Sequence, residues 1–407
     1  MNAVSDRRRF RLGPGLLVTA AFIGPGTVVT ASKAGTQFGC ELLWTILFAC
    51  LGTIVLQSLA AQLGITTGNG LGESIRQTFS GSRLLRPAVA IVIAAIGVGN
   101  AAYQTGNLTG AVAGITSITG GRPTVWLLVL SALTTIIILL GRYQILHRVL
   151  VGLVVLLSLA FLTTAFVAMP PATRIIRGLL VPSVNSDSLS LVVGLIGTTI
   201  VPYNLFLHAS GAAATWRTTD RDRAISESRW DTVFSISLGG VVTAAILIAA
   251  SSAFFDTQTT WSGTDQIAAG LRPTLGNASG TAFAVGLFAA GLTSSITAPV
   301  ATAYALCGCL GWQTEPSSGR FRVIALTVVG LGALMALFLG GSPASTILFA
   351  QIANGLLLPV IAAFLLLVVQ RGETRKGNRS GLFLAWLVVV LVGALGLWRV
   401  ITGLAST

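Results

Sequence analysis

Apolar length constrains this chain before anything else does. Eleven apolar runs follow one another, at roughly 14–35, 41–63, 87–116, 123–140, 149–168, 189–212, 230–253, 278–310, 323–340, 345–370 and 381–403. Each is close to, or longer than, the about 20 residues that a helix needs to cross a bilayer at about 1.5 Å rise per residue. In hydrocarbon every backbone N–H and C=O must find its partner within the segment, which leaves helices as the form for such runs. Of 407 residues, 53% are hydrophobic and 9% charged, where a soluble protein carries about 25% charged residues. The expected fold class is all-α integral membrane. The longest polar stretches, 212–229 and 254–277, are too short to fold alone.

A net charge of +13 would suit a nucleic-acid partner if the charges were clustered on one surface. They are distributed by topology instead. With the N-terminus inside, the cytoplasmic segments hold 19 of the 25 basic residues, from Arg7, Arg8, Arg9 and Arg11 to Arg371, Arg375, Lys376 and Arg379. Arg122, Arg174, Arg177, Arg272 and Arg399 fall outside, and Lys33 lies within the first run. This is the positive-inside pattern. It predicts a multi-pass protein of the cell (plasma or inner) membrane, with the lipid bilayer as partner, no nucleic acid, a cytoplasmic N-terminus and an external C-terminus. The start, Asp6-Arg7-Arg8-Arg9-Phe10-Arg11, resembles a twin-arginine signal, but the apolar run continues past the length of a cleavable segment. Residues 1–12 are read as a cytoplasmic tail and 13–407 as one transmembrane domain. Cys40, Cys50, Cys307 and Cys309 form no secreted-type disulfide framework and are expected to pack in the core.

Two runs are interrupted where a spanning helix should be continuous. Gly24-Pro25-Gly26-Thr27 lies in the middle of the first and Val201-Pro202-Tyr203-Asn204 in the middle of the sixth. Proline removes a backbone donor and clashes with the preceding turn, so both helices must split there. Broken helices at corresponding places in two halves mark the binding site of a secondary transporter. The expectation is two five-helix repeats, about 14–168 and 189–370, with an extra span at 381–403. An odd number of spans per repeat inverts the second relative to the first. Gly24, Gly26, Thr27, Thr198, Val201, Tyr203 and Asn204 are the candidate substrate-binding residues, joined by Gln351 in the tenth run. No nucleophile, metal box or acid–base pair stands at membrane depth, so catalysis finds no support and no cofactor is expected.

From residue 13 the chain reads Gly-Pro-Gly-Leu-Leu-Val-Thr-Ala-Ala-Phe-Ile-Gly-Pro-Gly-Thr, followed by Ala34-Gly35-Thr36-Gln37-Phe38-Gly39. Leu63-Gly64-Ile65-Thr66-Thr67-Gly68, Gly178-Leu179-Leu180-Val181-Pro182, Pro202 to His208, Gly291-Leu292-Thr293-Ser294-Ser295-Ile296-Thr297 and Gln351 to Pro359 come in order after it. Over roughly 13–370 the chain resembles the Nramp family of metal-ion transporters. That resemblance implies a LeuT-type fold with alternating access around the first and sixth spans.

The departures from the family pattern matter as much. The family's Asp-Pro-Gly-Asn has Asp and Asn as metal ligands; Gly24 and Thr27 stand there. Its Met-Pro-His-Asn has a sulfur that selects soft metals; Val201 and Tyr203 replace Met and His. A magnesium-transporting branch also lacks the Met, though it keeps the Asp. The family's proton-transferring carboxylates in the third span align with Gly97, Gln104 and Asn107.

All twelve acidic residues fall in loops or at interfaces on this span map. A dehydrated transition metal needs anionic oxygen, imidazole or sulfur ligands that are not offered here. Three readings stay open: a largely hydrated, Mg²⁺-like divalent cation whose waters touch Thr27, Asn204 and Gln351; a small anion or polar neutral solute at the half-helix ends; or a chain that senses rather than transports. Gln104 and Asn107 form a neutral polar track, so proton coupling through them is not expected. His208 is the titratable group left inside a span, with a proton or structural role. His147 is expected in a solvated loop. Lys33 either snorkels to the interface or lines the outer vestibule as a positive charge. Oligomeric state, coupling ion and direction of transport are not readable.

Overall fold

The computed structural model describes residues 13–15, 18, 23–141, 144–257, 261, 263–338, 342–372, 374 and 379–405. The tail expected at 1–12 lies outside the described residues. The helices are α1 Pro25–Phe38, α2 Leu43–Thr67, α3 Leu71–Thr78, α4 Leu85–Thr119, α5 Pro123–Leu140, α6 Gln144–Val167, α7 Ala172–Leu180, α8 Leu189–Thr199, α9 Pro202–Thr215, α10 Arg221–Ala250, α11 Thr264–Gly270, α12 Arg272–Leu275, α13 Ser279–Leu310, α14 Gly319–Phe338, α15 Pro343–Arg371 and α16 Arg379–Ala405. A π-helical turn, Ser251–Phe255, extends α10.

Among the described residues ten helical segments are long and apolar enough to cross a membrane, α8 and α9 counting together as one. The first expected run contributes α1, a half-helix of 14 residues. Of the segment before it, Gly13, Pro14, Gly15, Val18, Ile23 and Gly24 are described. Two sequence expectations change. The seventh span begins at Arg221 rather than near 230, because Asp220 caps the helix by accepting the N–H groups of Asp222 and Arg223. His147 sits in the first turns of α6 rather than in a loop.

Burial sorts the helices into an inner group and an outer ring. Of the apolar window in Leu189–Thr215, 94% is buried, against 28% in α5 and 33% in α14 and α16. The outer helices expose Leu128, Ile136, Leu334, Phe383 and Val390, as lipid-facing surfaces do. Inside, α4 and α13 make the most extensive pair, followed by α4 with α15. Backbones come close where glycine removes the side chain. A Cβ on Gly291 of α13 would lie 2.7 Å from the Asn107 carbonyl of α4, and one on Gly197 of α8 would collide with the Gln351 carbonyl of α15. The first contact brings α13 against α4, and the second brings α15 against the broken helix α8. All four cysteines are buried and unpaired, as core packing requires.

Candidate substrate site

Both breaks form where the prolines predict them. Helix α8 stops at Thr199; Ile200 (φ −95°, ψ 76°) and Val201 (φ −80°, ψ 121°) are non-helical, and Pro202 opens α9. Gly24 is extended (φ −111°, ψ −173°) and Pro25 opens α1. Proline fits the first helical position, where an N–H would have no partner within the helix. The fold then sets the two breaks side by side. Thr27 Oγ1 and Thr198 Oγ1 share a hydrogen bond of 2.7 Å across 171 residues of sequence.

Three other helices close the space around them. On α15, the Gln351 amide lies directly against Gly26, where any Cβ would overlap it. On α13, Ser294 Oγ lies 2.9 Å from where a Gly24 Cβ would stand, and Tyr103 Oη of α4 lies 3.8 Å from that point. The Tyr103 and Tyr203 rings meet at 5.5 Å between centroids, tilted by 60°. Gln104 donates to the Ser295 carbonyl at 3.1 Å, tying α4 to α13. Thr27, Thr198, Val201, Tyr203, Asn204, Gln104, Asn107, Ser294 and Gln351 are all buried.

Unpaired polar atoms are concentrated here. Asn204 has a partner on neither Oδ1 nor Nδ2, and Ser294 Oγ beside Gly24 and Gln351 Oε1 beside Gly26 are likewise without one; on the neighbouring helices so are Gln104 Oε1, Asn107 Nδ2 and Asn354 Nδ2. Leaving a buried polar group unmatched costs about 1–3 kcal/mol. Natural interiors leave few, so a cluster of them around two helix breaks marks where something polar completes the bonding. No group of three or more His, Cys, Asp or Glu residues that could hold a metal occurs among the described residues. Every side chain the site offers is neutral.

The remaining candidates lie around this centre. His208 is fully buried and its Nδ1 pairs with Gln57 Oε1 at 2.9 Å, while Nε2 has no partner. Lys33 is half-buried on α1. It follows Gly26 and Thr30 at i+7 and i+3 spacing, on the face that Gly26 turns to Gln351. Asp231, which the sequence places at an interface, is buried rather than solvated. Its carboxylate accepts the backbone N–H groups of Gly13 at 2.9 Å and Gly15 at 2.7 Å. Ser294 and Tyr103 escaped the sequence reading as site residues. Ser294 lies inside a recognised motif, but nothing in that motif shows which of its hydroxyls faces Gly24.

The family model for natural resistance-associated macrophage protein-like chains matches residues 15–403. The chain belongs to the Nramp family. A solved manganese transporter of Eremococcus coleocola, in complex with an aromatic bis-isothiourea compound, superposes with a TM-score of 0.78 at 24% identity, covering 95% of this chain and 85% of that one. Mhp1, a nucleobase-cation-symport-1 family transporter closed around bromovinylhydantoin, gives 0.64 at 14% identity over 96% and 90%. MhsT in complex with L-phenylalanine gives 0.57 at 16% identity over 96% and 98%. The LeuT-type architecture expected from the sequence is thereby shown, and this Nramp chain is a multi-pass membrane protein.

Proposed function

We propose that this Nramp chain moves a divalent cation of the Mg²⁺ type across the membrane by alternating access, binding it through its water shell. The observation that carries this reading is the set of unpaired neutral acceptors at the two breaks: Asn204 Oδ1, Gln351 Oε1 and Ser294 Oγ. A hydrated cation presents O–H donors in every direction, and neutral oxygens are what such a shell needs. Mg²⁺ gives up water reluctantly, so it suits a site without carboxylates better than Mn²⁺ or Fe²⁺ does. Thr27, Thr198 and the carbonyls flanking Val201 would complete the cradle, with Tyr203 and Gly24 shaping it. Because Gln104 and Asn107 carry no titrating proton, transport is not coupled to protons along them.

Lys33 favours a second reading, transport of a small anion or polar neutral solute. A half-buried ammonium on the site-facing side of α1 repels divalent cations and attracts anions. Uptake of Mg²⁺ and Mn²⁺ into proteoliposomes decides between them. Saturable Mg²⁺ uptake exceeding Mn²⁺ uptake, without internal acidification, supports the first reading. A monodisperse protein that carries neither ion sinks it and makes Lys33 the first residue to substitute. The localisation proposed is the cell membrane with a cytoplasmic N-terminus.

A further inference from the structure

Ser294 stands apart from the hydroxyls beside it. Along α13, Thr293, Ser295, Thr297 and Thr302 each donate to the carbonyl four residues back, at 2.7 to 2.9 Å. The same back-bond is open to Ser294 by helix geometry. Ser294 does not make it; its Oγ is fully buried, has no partner, and points at Gly24. A side chain at position 24 would begin 2.9 Å from that oxygen, closer than the two atoms can settle without one moving. We propose that Ser294 is a substrate-contacting residue occupying the place of the side chain absent at Gly24, and that this pair sets the preference for an ion that keeps its water.

The chemistry follows from the exchange. A carboxylate at position 24 would supply a charged oxygen able to replace a water on the ion. A serine hydroxyl arriving from α13 supplies a neutral oxygen that hydrogen-bonds to that water and leaves it in place. Glycine at 24 is then required by the hydroxyl, and the hydroxyl by the glycine. This proposal rests on the hydrated-cation reading for its ligand, but the Gly24–Ser294 pairing stands on geometry alone.

The test uses full-length protein as wild type, Gly24→Ala, Ser294→Ala and the double variant, with Gly24→Asp and Gly24→Asp/Ser294→Ala added. Thermal unfolding without metal reads the pairing. Gly24→Ala should lower the midpoint in the wild-type background and leave it unchanged in the Ser294→Ala background; equal effects in both overturn the pairing. Mg²⁺ uptake reads the contact. Ser294→Ala should lower it at least tenfold with an unchanged midpoint, and uptake equal to wild type overturns the role. Mn²⁺ should raise the midpoint of Gly24→Asp/Ser294→Ala and not that of wild type; no shift in the double variant overturns the claim that the pair sets ion preference. If wild type carries no divalent cation, the cation reading fails while the unfolding cycle still decides the pairing.

Discussion

At the scale of single residues, the site is built from polar groups that the protein alone does not satisfy. Asn204 is the sharpest case, with both amide atoms unpartnered at full burial. If Asn204 existed to hold the fold, removing its amide would cost stability. The opposite is expected: Asn204→Leu, close in shape and without unmatched dipoles, should keep or raise the unfolding midpoint while uptake falls at least tenfold. Gly26 makes a second prediction. A methyl group there displaces the Gln351 amide, so Gly26→Ala should lose transport and about 1–3 kcal/mol of stability. Equilibrium unfolding in denaturant measures the second loss, and Gly26→Ala/Gln351→Ala should recover most of it. Both positions were legible in the sequence, because proline breaks expose their neighbours to the central space. The Gln351 contact was legible only as family likeness.

At the scale of elements, the helical turn that opens at Pro14 and Gly15 depends on what holds its start. Asp231 takes the N–H groups of Gly13 and Gly15, so a buried carboxylate sits where a helix begins and its dipole is positive. A Cβ at Gly13 would lie 2.8 Å from both Asp231 Oδ2 and Trp216 Cη2, which explains glycine there. Asp231→Ala strands two backbone donors and should cost about 3 kcal/mol, judged from the worth of hydrogen bonds to charged groups. Asp231→Asn keeps one acceptor oxygen and should cost less than half as much. A thermal unfolding series would show the order, and equal losses for the two variants would argue against capping as the cause. Nothing in the sequence around Asp231 announces this partner, because the bond spans 218 residues.

At the scale of the whole molecule, the breaks belong to different repeats and meet only through the fold. The hydroxyl oxygens of Thr27 and Thr198 lie 2.7 Å apart, close to the about 2.05 Å of a disulfide bond. Thr27→Cys/Thr198→Cys should therefore cross-link under mild oxidation and stop transport. Reduction should return the double variant to its rate before oxidation, while oxidant should leave the rate of each single variant, whatever its level, unchanged. Alternating access requires the elements around the site to move relative to one another. A cross-linked protein that transports at the wild-type rate would show that α1 and α8 stay together throughout the cycle.

The sequence by itself determined the membrane class, the helical form of its spans, the sites of both breaks and the absence of a charged side chain at Gly24, Thr27, Val201 and Tyr203. Those are local properties: apolar length, proline chemistry and residue identity act within a few residues of themselves. It missed the early start of α10 by reading charged residues as loop, although an N-cap at Asp220 followed by a charged first turn begins a helix as well. Only the tertiary structure decided that Ser294 faces Gly24, that Gln351 lies on Gly26, and that the two threonines meet. Those contacts depend on how closely two helix backbones approach and on which rotamer fills the gap, and neither quantity is periodic in the sequence.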